Sequence, residues 1–383
     1  MTLSPEQRKA ASVGGDPAGP LLLAPDNFTP RTRTPWAGTQ IHTRYKASYS
    51  PETHIGESWE VSCDPEFPSR VIAESASGVS GENQTLQDLI DKNPHAMISP
   101  ELTGQAISEG SKPTCSILVK LVNAASPLSL QVHPDDHDPN LKPNECGKPE
   151  SWLVLNASPD AGIYIGFKKP WSRDSLRDAL AGGRISKDDL LFVPVRENDY
   201  FELGAGIVHA IGPGITLLEP QRILHGKSGK TYRLWDWNRR YDARGHEDPL
   251  AGKPRELHLD QALRCFDPSL QHGTAFAESV IRRPVRSHPA SGVSVATWPA
   301  NPDYQVHRIT MLAESTCRVS PQRGQGYACL TVFSGSLDCG NVRVAVGRSA
   351  FLPWSALPCT FKSSIGSDFA LVIHAALDVS FSV

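Results

Sequence analysis

The sequence predicts a mainly β protein made of two jelly-roll-like β-barrel units with small helical insertions. Three observations carry this prediction. Short segments alternate apolar and polar residues, which is the period of a half-buried strand. The 32 prolines and 30 glycines suit many short strands joined by turns. The 383 residues are enough for two packed units, each with its own core.

The elements fall into three predicted ranges along the chain. Residues 1–30 are rich in glycine and proline and lack periodicity, so we expect an N-terminal arm. Residues 31–270 should form the first β unit, with a helical insert near 171–190 that begins after Ser172. Residues 271–383 return to short strands and turns, which predicts a second, C-terminal β-barrel.

One further helix is predicted inside the first unit. Residues 84–92 place leucine and isoleucine on one face at helical spacing. Asn83 or Thr85 is of the type that caps a helix N-terminus. Pro94 should end the helix soon afterwards, because proline cannot continue the backbone hydrogen bonds.

The most informative segment is a predicted strand that presents polar side chains on one face. Alternation places Ser129, Gln131 and His133 on the same side of this strand. Glu150 follows after a hairpin-length connection and is expected to face that row from a neighbouring strand. His209 lies far enough along the chain to come from a third strand. Two imidazoles, an amide and a carboxylate around one point would suit Zn²⁺ or a similar divalent ion.

Each of these residues also has an ordinary structural explanation. A single histidine in a strand is more often a packing or hydrogen-bonding residue than a metal ligand, and amide ligands are uncommon on zinc. What favours a metal site is the shared face of Gln131 and His133, joined by a carboxylate and a second histidine in strand-like segments.

Lys120 interrupts an otherwise apolar predicted strand over residues 116–122. Such a lysine is usually an edge-strand charge or a side chain that reaches out to solvent. The alternative is an inward-facing cation close to the metal site, because the next predicted strand carries the candidate ligands.

The overall composition excludes several classes of protein. Lysine and arginine number 38 against 41 aspartate and glutamate, without blocks of like charge, so we expect no nucleic-acid partner. The eight cysteines are scattered without a C-x-x-C pair, which indicates reduced, mostly buried thiols. The N-terminus lacks the pattern of a signal peptide, and no apolar run is long enough for a membrane span. We therefore expect a cytoplasmic enzyme without membrane contact.

Several motifs in a fixed order resemble one known family. They are Ser-Leu-Gln-Val-His-Pro-Asp-Asp at 129–136, Gly-Lys-Pro-Glu at 147–150, Gly-Ile-Val-His-Ala-Ile at 206–211 and Thr-Tyr-Arg-Leu-Trp-Asp-Trp at 231–237. Over about residues 30–265 the chain resembles the type I mannose-6-phosphate isomerases, also called phosphomannose isomerases. The resemblance implies a cupin fold and interconversion of mannose 6-phosphate and fructose 6-phosphate.

The resemblance also implies a cofactor and its ligands. One Zn²⁺ per chain would be held by Gln131, His133, Glu150 and His209, the positions that match the metal ligands of the family. The partner would be a small sugar phosphate, and the protein would be a monomer or a weak homo-oligomer.

Five further positions match residues that line the substrate pocket in that family. They are Lys120, Ser129, Lys148, Glu219 and Arg233. Arg233 matches the position usually assigned as catalytic. Its guanidinium stays protonated at ordinary pH, so we assign it to stabilising the developing oxyanion. Glu219 is the better candidate base, because burial would raise its pKa toward neutrality. Lys120 and Lys148 would hold the phosphate or the sugar hydroxyls.

Two other functions are compatible with the same residues. A cupin-fold oxygenase would use Fe²⁺ at a site of mixed nitrogen and oxygen ligands. Such enzymes favour two histidines and one carboxylate with open positions, one of which Gln131 would fill. A sugar-phosphate sensor without catalysis is the second alternative, although it would not require Lys148, Glu150, Glu219 and Arg233 together. Finally, Arg233 and Asp236 could simply form a strand ion pair.

Overall fold

The computed structural model describes residues 19–72 and 84–383, and it is mainly β as predicted. The predicted cap Asn83 and most of the predicted arm lie outside the described residues. Strand pairing among these described residues forms three large sheets and one small two-stranded sheet. No helix in the described ranges is both long enough and apolar enough to cross a bilayer.

Fourteen strands lie in the described residues before residue 283. They are β1 (Leu21–Leu22), β2 (Glu57–Val61), β3 (Ile117–Ala124), β4 (Leu130–Val132), β5 (Glu145–Cys146), β6 (Glu150–Ala157), β7 (Gly162–Phe167), β8 (Leu190–Pro194), β9 (Tyr200–Leu203), β10 (His209–Ile211), β11 (Ile215–Arg222), β12 (Ser228–Gly229), β13 (Tyr232–Trp235) and β14 (Ile281–Arg282).

Ten strands follow in the C-terminal part. They are β15 (Val285–Ala290), β16 (Val293–Thr297), β17 (Tyr304–Met311), β18 (Ser315–Gly324), β19 (Ala328–Cys339), β20 (Val342–Ala345), β21 (Ser349–Leu352), β22 (Cys359–Ser363), β23 (Ser367–His374) and β24 (Leu377–Ser382).

Helices are short and lie between the strands. The α-helices of the described residues are α1 (Leu86–Lys92), α2 (Pro94–Met97), α3 (Pro100–Ser108), α4 (Arg173–Ala181), α5 (Leu259–Arg264) and α6 (Gly273–Ser279). A π-helical turn covers His42–Lys46, and 3-10 turns cover Lys187–Asp189 and Trp354–Ala356.

The helix caps follow the sequence pattern in two places. The Thr85 hydroxyl accepts a hydrogen bond from the backbone N–H of Asp88, whose carboxylate accepts one from the Thr85 N–H, which completes a capping box. Ser172 caps α4 through the N–H of Ser175. Pro94 does follow the end of α1, but it also opens α2, because proline fits the first turn of a helix.

Two sheets of the first part pack face to face. A five-stranded sheet has the order β13-β4-β10-β7-β8, and a six-stranded sheet has the order β14-β9-β6-β11-β3-β2. Apolar side chains from both sheets form one shared core, for example Val154 and Phe201 from one side with Ile165 and Ile211 from the other. Polar side chains that point inward at the other end of this barrel are therefore held close to one another.

The third sheet has eleven strands and contains β15 to β24 together with β1. The pairing of Leu21–Leu22 with β21 ties the start of the described chain to this sheet. Strand β14 lies after the boundary predicted near residue 270, yet it pairs with β9 of the first part. The domain limits at 30 and 270 stay a prediction.

Burial of one histidine in the C-terminal sheet makes the protein sensitive to acid. His307 is fully buried and burial lowers its pKa to about 3, below the ordinary 6.5. The unfolded chain therefore binds more protons, and the associated stability is present above pH 6.5 and lost as pH falls toward 3. At pH 5 the protonation of this histidine in the unfolded chain should lower the free energy of unfolding by about 2 kcal/mol.

We expect His307→Gln to reduce the loss of unfolding free energy between pH 7 and pH 5 by about that amount. Urea titrations at both pH values measure it, with the exposed His288→Gln as the control. Parallel acid sensitivity in wild type and His307→Gln would contradict the assignment.

Candidate metal centre and active-site cavity

Strand register places three functional side chains in one row across the five-stranded sheet. Gln131 on β4 is the direct partner of His209 on β10 and of Arg233 on β13. Directly paired residues project from the same face of a sheet, so the three side chains lie side by side. The sequence placed each of them on a strand, and the pairing brings them together.

His133 and Glu150 complete the group from two different sheets. His133 lies just beyond the end of β4, on the same side as Gln131, and is fully buried. Glu150 was expected on a neighbouring strand, but that expectation is wrong. It opens β6 of the six-stranded sheet, so its carboxylate meets the histidines across the barrel rather than along the sheet.

The two imidazoles direct the same nitrogen toward one carboxylate oxygen. Nδ1 of His133 donates to the carbonyl of Lys230 at 3.1 Å, and Nδ1 of His209 donates to the carbonyl of Ile207 at 2.9 Å. Their Nε2 atoms then lie 3.4 and 3.5 Å from Oε1 of Glu150. With Nδ1 protonated, each neutral ring presents a lone pair at Nε2.

Protonated histidines would turn these contacts into ion pairs, but burial opposes the protonated form. Burial lowers the pKa of His209 to about 3, and burial together with Lys148 lowers that of His133. Within the described part of the chain, Nε2 of His133 and Oε1 of Glu150 are buried without a hydrogen-bond partner. Three acceptors facing one point without a proton between them are the arrangement that a divalent cation satisfies.

His133, Glu150 and His209 are the one group of His, Cys, Asp and Glu side chains with metal-ligand spacing among residues 19–72 and 84–383. Gln131 is the fourth side chain at this point, with its Nε2 lying 3.4 Å from Nε2 of His209. Rotating a carboxamide by half a turn exchanges its nitrogen and oxygen, so the amide can also offer an acceptor here. The donor set is two imidazoles, one carboxylate and one amide.

Lys148 and Gln221 hold the second oxygen of Glu150. The Lys148 ammonium lies 2.8 Å from Oε2 of Glu150, and Nε2 of Gln221 donates to the same oxygen at 3.2 Å. Burial favours the neutral carboxyl, but the charge of Lys148 keeps the pKa of Glu150 well below its usual value. Glu150 is thus an anion with one oxygen engaged and the other free.

Glu219 lies in the same barrel with the opposite electrostatic balance. Burial first, and then the charge of Glu150, raise the pKa of Glu219 to about 7. Trp152 donates from Nε1 to Oε2 of Glu219 at 3.0 Å, and the Gln221 amide donates to Oε1. A carboxyl that titrates near neutrality can both accept and release a proton at ordinary pH.

Lys120 is buried and faces inward, so the edge-strand and solvent-facing interpretations are wrong. It is paired in register with Glu219, and its ammonium lies 3.6 Å from Oε1 of that residue. The same ammonium lies 3.8 Å from Glu57 and 4.2 Å from the ring centre of Trp59. Two carboxylates and an aromatic face stabilise its charge.

Arg233 does not pair with Asp236, so the ion-pair explanation of this strand is wrong. Asp236 instead accepts from Arg239 at 2.7 Å and from Arg255 at 2.6 and 2.8 Å. Arg233 donates to the carbonyl of Glu256 at 2.8 Å, and its Nε is buried without a hydrogen-bond partner among residues 19–72 and 84–383. Burial and the nearby Arg255 lower its pKa to about 10, which still leaves it charged at neutral pH.

These residues surround a cavity of about 330 Å³. All five predicted pocket residues line it, together with Gln131; the five are Lys120, Ser129, Lys148, Glu219 and Arg233. His133, His209 and Glu150 are not in the lining and lie behind Gln131 and Lys148. The candidate metal centre is therefore the closed floor of a polar cavity that has the size of a small ligand.

Four residues that contact the candidate site were not predicted from the sequence. Trp152 and Gln221 hold Glu219, Glu57 contacts Lys120, and Nδ1 of His258 accepts from the backbone N–H of Arg233 at 3.2 Å. The period of two along β11 would have indicated Gln221, which lies on the same face as Glu219. Nothing in the local pattern identifies Trp152 or His258, whose contacts cross between sheets and segments.

The fold and site define a class of protein: a β-barrel enzyme with a buried candidate metal centre beneath a small polar cavity. A comparison with known proteins supports this class. Residues 34–164 match the catalytic domain of type I phosphomannose isomerase. This match and the relatives described next support an isomerase that resembles the type I phosphomannose isomerases.

Relatives extend the likeness over most of the chain. A mannose-6-phosphate isomerase of Streptococcus mutans is 28% identical over 335 residues, which cover 86% of this chain and 90% of the relative. The mannose-6-phosphate isomerase ManA of Bacillus subtilis is 34% identical over 239 residues, covering 61% and 65%. The crystal structure of the Bacillus subtilis mannose 6-phosphate isomerase has the same fold, with a TM-score of 0.69 at 23% identity, covering 93% of this chain and 99% of that one.

Proposed function

We propose that this isomerase is zinc-dependent and interconverts mannose 6-phosphate and fructose 6-phosphate by proton transfer through an enediol. The relatives at 28% and 34% identity are mannose-6-phosphate isomerases, which supports the substrate. The observation that carries the proposal is the convergence of His133, Glu150 and His209 on one point beneath a polar cavity. A small sugar phosphate is then the partner, and a cytoplasmic location and a monomeric or weakly associated state remain predictions.

The residues fit a zinc ion. Gln131, His133, Glu150 and His209 would hold it, and their donor atoms are of the types that zinc takes in proteins, with an amide as the unusual member. Two neutral imidazoles, one amide and one carboxylate leave a divalent ion with net positive charge. A bound cation of this kind polarises a carbonyl oxygen as a Lewis acid.

Arg233 is proposed to orient the carbonyl end of the sugar and to stabilise the charge that develops on its oxygen. It lines the cavity, remains charged, and has a buried Nε without a partner among the described residues. A preorganised donor in a site shielded from water stabilises a transition state more than a solvated one does. Ser129, which immediately precedes β4 and lines the same cavity, would donate to or accept from a sugar hydroxyl.

Glu219 is proposed as the base that moves the proton between the two carbon atoms. An aldose–ketose isomerisation needs one group that takes the proton from C2 and returns it to C1, or the reverse. A carboxyl with a pKa near 7 is suited to both halves of this cycle. The Trp152 indole and the Gln221 amide fix its orientation.

Lys120 and Lys148 are proposed to hold sugar hydroxyls. Carboxylates flank each ammonium, Glu57 and Glu219 around Lys120 and Glu150 beside Lys148. Most of their charge is therefore already balanced, which suits contacts to neutral hydroxyls.

A coupled isomerase assay on metal-stripped protein tests the proposal. We expect negligible turnover of mannose 6-phosphate without metal and recovery when zinc is added back, with other sugar phosphates and the free sugars as comparison substrates. Oxygen consumption is followed in parallel with Fe²⁺ added, because an oxygenase would show it. Oxygen uptake without isomerisation, or isomerisation that is indifferent to chelation, would refute the proposal.

Arg233→Lys is expected to lower kcat about a hundredfold to a thousandfold while metal content stays unchanged. The substitution keeps a positive charge but loses the planar set of donors, and one such donor in an oxyanion site has an effect of this size. Steady-state kinetics and metal analysis on the same preparations measure it. Arg240→Lys is the matched control, because Arg240 is exposed and lies outside the cavity lining. A variant with wild-type kcat would remove Arg233 from the chemistry.

A further inference from the structure

Two cysteines of the C-terminal sheet lie unusually close together. Their sulfur atoms, on Cys339 and Cys359, are 2.9 Å apart. Cys339 ends β19 and pairs in register with Phe361 of β22, and Cys359 lies two residues before Phe361 on that strand. Alternation puts both thiols on the same face, so they are diagonal neighbours in the sheet.

We propose that Cys339 and Cys359 form an oxidisable dithiol, a modification site at which a hydroperoxide produces a Cys339–Cys359 disulfide. The site is separate from the cavity and does not depend on the proposed isomerase activity. A disulfide has its sulfurs about 2.05 Å apart, so closing the bond requires less than about 1 Å of movement.

The two thiols have different roles in this reaction. Cys359 is the attacking thiolate, since its sulfur lies within hydrogen-bond distance of the Cys339 thiol, and backbone N–H groups and Arg318 add to the stabilisation of its negative charge. These interactions lower the pKa of Cys359, whereas burial raises that of Cys339 well above its ordinary value. Cys339 is completely buried and Cys359 is 5% exposed, so Cys359 is the one that a small oxidant reaches.

The chemistry balances with one hydroperoxide. The Cys359 thiolate attacks a peroxide oxygen, the O–O bond breaks, and a sulfenic acid forms while the departing hydroxide or alkoxide takes up a proton. The sulfur of Cys339, losing its proton, then attacks the sulfur of Cys359 and displaces the second oxygen as water. Two thiols are oxidised by two electrons in total, and the peroxide is reduced.

The other buried cysteines lack this combination. Cys63 and Cys115 lie in the central core and do contact each other, and Cys115 also contacts Cys329, but burial raises the pKa of both Cys63 and Cys115 well above the ordinary value, so neither is a ready thiolate. Cys265 is the most exposed cysteine of the described residues. Its thiol contacts Asp138 and the carbonyl of Gln261, not another thiol. A sulfenic acid at Cys265 would therefore have no resolving partner nearby.

Peptide mapping of the full chain after hydrogen peroxide treatment tests the proposal. The protein carries Cys265→Ser to remove the exposed thiol. Trypsin cuts after Arg343 and Arg348, between the two cysteines, so a disulfide joins two separate peptides. We expect these linked peptides, a loss of two of the seven remaining thiols, and restoration of both thiols by dithiothreitol.

Variants identify the role of each thiol. Cys359→Ser should abolish the linkage, while Cys339→Ser should leave Cys359 as a sulfenic acid that dimedone labels. Cys146→Ser, in the first part of the chain, should leave the linkage intact. The bond closes a loop of about twenty residues, so oxidation should also raise Tm by on the order of 5 °C, and this shift should vanish in Cys359→Ser.

The primary experiment needs neither variant to be stable, because the linked peptides are sought in a chain that retains both thiols. Cys359→Ala and Cys339→Ala replace the serine variants where a buried hydroxyl prevents folding. Persistence of both thiols at peroxide concentrations that oxidise Cys265 in the wild type would overturn the proposal, as would linkage of a different pair.

Discussion

Glu150→Gln is expected to lower kcat/KM at least about a thousandfold and to remove the metal from the purified protein. The introduced amide keeps the shape of the side chain but takes away the one negative charge among the four candidate ligands. A Lewis acid contributes several kcal/mol to a reaction of this type, and about 4 kcal/mol corresponds to a thousandfold change in rate. Metal analysis by mass spectrometry and the coupled assay give the two readouts.

The variant also leaves the Lys148 ammonium without its carboxylate at 2.8 Å, so a modest loss of stability accompanies the loss of metal. Glu202→Gln is the matched control. Glu202 lies on β9, next to β6, and pairs with Arg282 away from the cavity. A Glu150→Gln enzyme that retains stoichiometric metal and turnover would contradict the proposed ligand set.

Glu219→Gln is expected to lower kcat about a hundredfold to ten-thousandfold with metal content unchanged. This is the range that a positioned general base contributes, and an amide cannot accept the proton. The Trp152 indole still finds an oxygen to which it can donate, so the fold around the site should persist. The isomerase assay, with proton exchange between substrate and solvent as a second readout, measures the effect.

The pH profile separates a base from a structural carboxylate. Because the pKa of Glu219 is raised, the base form is lost as pH falls through that value, and kcat of the wild type should fall about tenfold per pH unit below the midpoint. The midpoint lies at about 7 in the metal-free site, and a cation on Glu150 should move it lower. The residual activity of Glu219→Gln should lack this limb. An unchanged acid limb in the variant would assign the titration to another group.

The candidate site could be predicted from sequence wherever one strand carries several of its members. Gln131 and His133 share a face because side chains alternate along an extended backbone, and this follows from spacing alone. The same rule applies to Glu219 and Gln221, although only Glu219 was identified. The helix caps at Thr85 and Ser172 were also predictable, because a cap is a local hydrogen bond between residues three apart.

What could not be predicted depends on contacts between distant segments. Glu150 was expected beside β4 but reaches the histidines from the opposing sheet. Asp236 was a candidate partner of Arg233 at a spacing of three, but Arg239 and Arg255 occupy its oxygens. Helices α2, α3 and α6 were not predicted, because they begin at Pro94, Pro100 and Gly273, residue types that mark turns in a sequence.

The sequence by itself determined that this chain is mainly β, that its polar ligand types lie on strands, and which family it resembles. These properties follow from the alternation of side chains and from ordered local motifs. Tertiary structure decided that His209, Gln131 and Arg233 form one row, and that Glu150 and Glu219 carry opposite shifts of pKa in the same barrel. Register and burial set these features, and both depend on how sheets pair and pack.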